Sequence, residues 1–131
     1  MRVLQVHNHH AGLGGALEVL QQEGELLRGS GHSVSVWALP ATEDLNLSGL
    51  RAGAKAVWNR EAGRELADRI EEFKPDVVHV HTPFPLLSPV VFRVAARMHV
   101  PAVTTVHSFR YSCIAATCYR DGHTCEGCSH E

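Results

Sequence analysis

Apolar residues in this chain fall into short blocks whose period switches between two and about three and a half, and each switch predicts an element. Arg2 to His7 is a Val- and Leu-rich run that gives way to Gly12, Gly14 and Gly15, predicting a buried strand that opens into a glycine loop. Ala16, Leu20, Gly24 and Leu27 then repeat at helical spacing, Leu17 and Val19 widen the stripe, and Gly29 and Gly31 supply the stop. From His32 to Leu39, Val34, Val36 and Ala38 alternate with Ser33, Ser35 and Trp37 as far as Pro40, predicting a second strand with one face less buried.

Ala41 to Asn59 keeps no clear period and reads mostly as loop, with a short strand around Ala56 to Trp58. Order returns at Glu61, where Ala62, Leu66, Ile70 and Phe73 share one helical face and Pro75 marks the end. Asp76 to His81 follows as a strand. Ser88 is placed to cap a helix that starts at Pro89 and turns Val91, Val94, Ala95 and Met98 to one side. After Pro101, the β-branched run Ala102 to Val106 predicts a last strand. Strands and helices alternating in this way imply an α/β domain, a doubly wound parallel sheet with helices on both faces. The apolar period stops after His107, so residues 1–131 read as one domain whose stretch 109–131 is a cysteine-rich insertion or tail.

Composition narrows the function classes. With 131 residues, 44% of them hydrophobic and 20% charged, the chain is long enough to bury one core. Its formal charge of -2 lacks the basic excess of a nucleic-acid module, so no nucleic-acid partner is expected. The first residues run directly into Val3, Leu4 and Val6 without a basic segment and apolar core, and Arg93 and Arg97 interrupt the later apolar stretches, so neither a secretory signal nor a membrane span is expected. All four cysteines lie between Cys113 and Cys128, a local cluster that fits a reducing cytoplasm.

In open parallel sheets ligands bind where strands end, which directs attention to His7–Gly15, Leu39 onward, His81–Pro85 and His107–Arg110. Glycines before a helix let backbone N–H groups approach a phosphate, although a tight packing turn explains them equally well. A dinucleotide fingerprint is missing: Gly-x-Gly-x-x-Gly is not present, no acid ends the second strand, and Asp44 lies too far on. Nor is there a P-loop or a serine nucleophile elbow. His79 and His81 point to one face of their strand, about 7 Å apart at their bases. That pair reads first as His79 packed under a helix with only His81 at the strand end, and second as a metal pair. His107 follows the last strand, where an imidazole either serves a sugar hydroxyl or developing charge, or ties the strand to a loop. Cys113, Cys118, Cys125 and Cys128, with His123 and His130 nearby, form C-x4-C-x6-C-x2-C. Structural zinc, reduced buried thiols and a disulfide all remain open for it.

Taken together, several segments resemble the N-terminal domain of family-4 GT-B glycosyltransferases, retaining enzymes that use nucleotide sugars. They are the Gly14-Gly15 pair, Gly31-His32-Ser33-Val34, Lys74 to His81, Pro83-Phe84-Pro85-Leu86-Leu87-Ser88-Pro89 and Thr105-Val106-His107. The stretch Arg110 to Cys113, with Tyr119-Arg120-Asp121-Gly122 and Cys125-Glu126-Gly127-Cys128, resembles a cysteine-bearing insertion in one branch of that family. The resemblance implies a Rossmann-like fold, donor contacts at Gly14 and Gly15, and a catalytic position for His107. It also implies an acceptor side formed by Glu18, His81 and Arg110, and no cofactor for catalysis; structural zinc on Cys113, Cys118, Cys125 and Cys128 stays one of the open readings of their spacing.

Two positions depart from the family pattern: Leu17, with Glu18 one place later, stands for an acid usually two places after the glycine pair, and Ser108 for one after the histidine. The family's second Rossmann-like domain, which holds most of the nucleotide, has no counterpart in these residues. By resemblance, then, the chain is the acceptor-binding half of a glycosyltransferase, inactive alone. It is expected in the cytoplasm, with a glycan or lipid-linked acceptor and transient contact with a membrane surface. The rival readings are a stand-alone nucleotide- or metabolite-binding Rossmann module and a zinc-dependent interaction protein carried by the tail.

Overall fold

A computed structural model describes residues 1–9, 15–41, 49–113 and 115–128. Its elements in chain order are β1 (Arg2–Asn8), α1 (Gly15–Gly29), β2 (Ser33–Leu39), α2 (Gly49–Val57), α3 (Arg60–Phe73), β3 (Val77–Thr82), α4 (Val90–Arg97) and β4 (Ala102–Thr104). A 3-10 turn at Phe109–Tyr111 and a small hairpin, β5 (Tyr119–Arg120) with β6 (His123–Thr124), complete it. The four long-range strands form one parallel sheet in the order β2-β1-β3-β4. This is the α/β, Rossmann-like arrangement expected from the alternating pattern.

Strand parity divides the sheet into two chemically different faces. Leu4, Val6, Trp37, Val78 and Val80 point to one side and form the core with Ala62, Leu66 and Ile70 of α3 and Val90, Val91 and Ala95 of α4. Helices α3 and α4 approach closely because residue 63 is glycine: a Cβ there would sit 3.0 Å from Val90 Cγ2 and 3.5 Å from Val94 Cγ2. On the other side, the register aligns Gln5 with both Val36 and His79, so Gln5, His79 and His81 lie beneath α1. There the Gln5 amide donates to Leu20 O at 3.3 Å. Gly24 of α1 lets the helix sit on that side chain, since a Cβ would come 2.9 Å from Gln5 Oε1.

Capping accounts for both ends of α3. Asn59 precedes α3 with extended backbone, and its Oδ1 accepts from Ala62 N at 3.3 Å. The helix closes on Lys74, left-handed at φ 48°, whose N–H donates to Ile70 O just before Pro75. Ser88 works one residue further from its helix than expected: α4 begins at Val90, and Ser88 Oγ accepts from Val90 N at 3.4 Å and from Asn59 N at 3.0 Å. β3 likewise runs Val77–Thr82, one residue later than the sequence pattern suggested. Asp76 is instead occupied in turning the chain, its carboxylate accepting from Arg2 N at 2.6 Å.

Two expectations fail. The segment expected to hold a short strand at Ala56 to Trp58 contains α2, and Trp58 N continues its ladder by donating to Ala54 O at 3.0 Å. Ala52, Lys55 and Ala56 form the half-buried face of α2, and no residue of it is buried. Alanine and glycine carry so little hydrophobic contrast that the helical period was hidden, while Val57-Trp58 carried the β-propensity. The last strand is Ala102–Thr104 and does not reach Val106. One more bond, Thr105 N to Val80 O at 3.1 Å, extends the pairing, but β4 lies at the sheet edge with every residue exposed.

Candidate functional site

The carboxyl ends of the strands bring together residues far apart in sequence. Asn8, the last residue of β1, accepts from Leu86 N at 2.6 Å through Oδ1 and donates through Nδ2 to Pro40 O at 3.2 Å. Asn59 donates to Leu86 O at 2.6 Å. Both peptide groups of Leu86 are thus held by buried amides, which fixes the segment from Pro83 to Ser88 beside the end of β3.

Next to this frame is a cluster of histidines. His79 and His81 have ring centroids 4.3 Å apart, and His81 stacks on His107 at 5.4 Å with 22° between the planes. His81 Nδ1 and His107 Nε2 are 3.2 Å apart, while His79 Nε2 meets Thr105 Oγ1 at 2.8 Å. His7 of β1 lies edge-on to His9 at 5.1 Å. Glu23 of α1 reaches down to the pair from the helix, its Oε2 3.1 Å from His81 Nε2 and 3.6 Å from His79 Nδ1. Burial, followed by the neighbouring His79, His107 and His7, pushes the His81 pKa down to about 4. His107 is also lowered, first by burial, with the Glu23 carboxylate opposing and His79 adding to the shift. Both rings are therefore neutral at pH 7, able to donate through one nitrogen and accept through the other.

The structure brings some of the expected residues together and separates others. His81 and His107 touch; His81 is buried and His107 exposed. His79 is packed under α1 as anticipated, whereas His81, expected at an open strand end, is equally enclosed. Glu18 is exposed in the first turn of α1, where its carboxylate accepts from Gln22 at 2.6 Å. Arg110 is exposed on the 3-10 turn after His107. Gly15 opens α1 with nothing among the described residues within 4 Å of where a Cβ would stand, and Gly14 lies outside the described residues. A cavity of about 340 Å³ opens near the ends of β2 and β3, lined among others by Leu39, Pro40, Asn59 and Leu86. Glu23, His7 and Thr105 were not foreseen as members of the cluster. Glu23 follows Leu20 by three residues and adjoins Gly24, so its place beside the buried stripe of α1 was the available signal.

The tail forms a second constellation. Cys113, Cys118, Cys125 and Cys128 are free thiols, and all four line one small cavity of about 30 Å³ together with Ser112 and Glu126. The hairpin produces this, because β5 and β6 pair antiparallel and Cys125 N donates to Cys118 O at 2.7 Å across its base. Backbone N–H groups, that of Cys118 foremost, lower the Cys113 thiol pKa, while burial and then the Cys113 sulfur raise that of Cys118. His123 Nδ1 lies 3.2 Å from Asp121 O.

A four-stranded parallel sheet in the order β2-β1-β3-β4 with flanking helices defines a Rossmann-like α/β fold. Residues 13–122 match Glycosyltransferase Family 4, and the chain belongs to that family. In three dimensions it is similar to UDP-GlcNAc 2-epimerase from Neisseria meningitidis bound to UDP-GlcNAc, with a TM-score of 0.58 and 16% identity. That match covers 79% of this chain and 31% of the epimerase, and it shows a shared fold. No curated protein matches the sequence. Among the described residues no helix is long and apolar enough to cross a membrane.

Proposed function

We propose that this domain is the acceptor-binding half of a retaining glycosyltransferase that moves a sugar from a nucleotide-sugar donor to a glycan or lipid-linked acceptor. The observation that carries the reading is the contact of His107 with His81 at the carboxyl edge of a family-4 domain. His107 serves as the catalytic-side group: neutral and exposed, it offers a hydrogen bond to a hydroxyl of the transferred sugar, and buried His81 holds it in place. Gly14 and Gly15 precede and open α1, where N–H groups and the helix dipole favour the donor diphosphate. Glu18, one turn into the same helix, and Arg110, beside His107, border the acceptor. That the folded neighbour is bound to UDP-GlcNAc supports a nucleotide sugar as the ligand class.

The remaining work, stabilising the departing nucleoside diphosphate and excluding water, belongs in this reading to a second Rossmann-like domain that closes over the edge. The chain spans about a third of the length of its solved structural neighbour. Catalysis calls for no cofactor. In this reading the four cysteines that line the small tail cavity are the candidate ligands of a structural Zn²⁺, thiolates being suited to a closed tetrahedral site. The protein works in the cytoplasm with transient contact to a membrane surface when its acceptor is lipid-linked, and it has no nucleic-acid partner. The test is binding and turnover across UDP-, GDP- and ADP-sugars. Tight nucleotide binding by the isolated chain, with no donor turned over by the whole gene product, would replace this reading with a stand-alone binding module.

A further inference from the structure

The cluster beneath α1 contains an arrangement that sugar transfer does not require. Glu23 Oε2, His79 Nδ1 and His81 Nε2 come from one helix and one strand and lie within 4.8 Å of one another. The two distances to the carboxylate, 3.1 and 3.6 Å, bracket the spacing of about 3.3 Å between ligand atoms that each stand about 2.0 Å from a tetrahedral ion. Glu23 Oε2 and His81 Nε2 are both buried and neither has a hydrogen-bond partner, although they face each other. The His81 side chain is 0% exposed, so water does not satisfy that nitrogen either. Two unsatisfied buried polar atoms, one on a carboxylate, are costly unless something between them accepts both lone pairs.

We propose that Glu23, His79 and His81 bind a divalent transition-metal cation of the Zn²⁺ type, separate from the cysteine cavity. Two imidazoles and one carboxylate are a borderline donor set suited to Zn²⁺, and three protein ligands leave a fourth position for water or another oxygen. The opposite ring nitrogens already have the partners that orient metal ligands: His79 Nε2 faces Thr105 Oγ1 and His81 Nδ1 faces His107 Nε2. With the ion on Nε2, the proton of His81 resides on Nδ1 and is donated to His107 Nε2. The cation therefore sets the His107 tautomer, Nδ1–H with Nε2 accepting, and clips the middle of α1 to β3.

The experiment is a Zn²⁺ titration of chelator-stripped chain carrying ¹⁵N-labelled histidine rings, followed by long-range imidazole NMR. Zinc on the cysteines leaves these rings untouched, so wild-type protein suffices. The expected result is saturable movement of His79 Nδ1 and His81 Nε2, with His107 settling into the Nδ1–H form. Glu23→Gln, at a half-exposed position, weakens binding at least about tenfold, the scale of loss for altered metal surroundings. His79→Asn gives a second ligand test that does not touch the helix. Rings that stay unmoved by zinc, or binding that neither variant weakens, would overturn the proposal.

Discussion

Replacing Asn59 by alanine is the sharpest test of how the edge of the sheet is held. Asn59 is 6% exposed and makes two side-chain bonds: Oδ1 accepts from Ala62 N at the start of α3, and Nδ2 donates to Leu86 O at 2.6 Å. Alanine removes the helix cap, a loss of about 1 kcal/mol. It also strands the buried Leu86 carbonyl, at a cost of about 1–3 kcal/mol. The sum is about 3 kcal/mol. Asn59→Ser retains a cap acceptor but cannot reach Leu86, so it should lose about 2 kcal/mol. In urea unfolding followed by circular dichroism, with a slope of about 2 kcal/mol/M for a domain of this size, the alanine midpoint falls by about 1.5 M and the serine midpoint by about 1 M. A loss below about 0.5 kcal/mol for alanine would refute the argument, because it would mean the amide does not hold Leu86. Equal losses for the two variants would refute the capping half alone.

Three further outcomes follow from the structure. Leu66, 0% exposed between α3 and the sheet, should cost about 3–4 kcal/mol as Leu66→Ala in the same urea assay, the range for truncating a core leucine. In the presence of a chelator, stability should fall as pH drops from 6.5 toward about 4: the unfolded chain takes up a proton that buried His81, facing His79, His107, His7 and Glu23, does not. The loss approaches about 3 kcal/mol, reduced by the Glu23 carboxylate, and is read from unfolding midpoints across that range, with His81→Gln flattening the dependence. Metal analysis of purified protein should show the Cys118→Ser/Cys125→Ser double variant holding one zinc per chain fewer than the wild type, the histidine-cluster ion being unaffected; equal zinc content in the two proteins would exclude the cysteine cavity as a zinc site.

Much of the fold was legible because the sheet alternates strongly. β1, α1 and α3 begin and end within a residue or two of where Val, Leu, Gly and Pro placed them, and the family match over residues 13–122 takes in α1 and α3. α2 was not legible, since its face is made of alanines and a lysine stem, and β4 was overestimated because β-branched residues continue past the point where a neighbour strand pairs with them. The site was half legible. His81 and His107 follow from strand ends, which parity and position reveal, and the cysteines converge locally. Glu23 depends on which side of the sheet α1 packs, and that depends on Gly24 seating the helix over Gln5, a contact with no signature in spacing alone.

The central claim is that His107 stands in a sugar-transfer site completed by a second domain. It is tested most directly by nucleotide release from a panel of UDP-, GDP- and ADP-sugars by the complete gene product, beside its His107→Ala variant. The account predicts turnover of one donor class, falling at least about a hundredfold in the variant while the chain stays folded. Donor turnover that is indifferent to His107→Ala would contradict it.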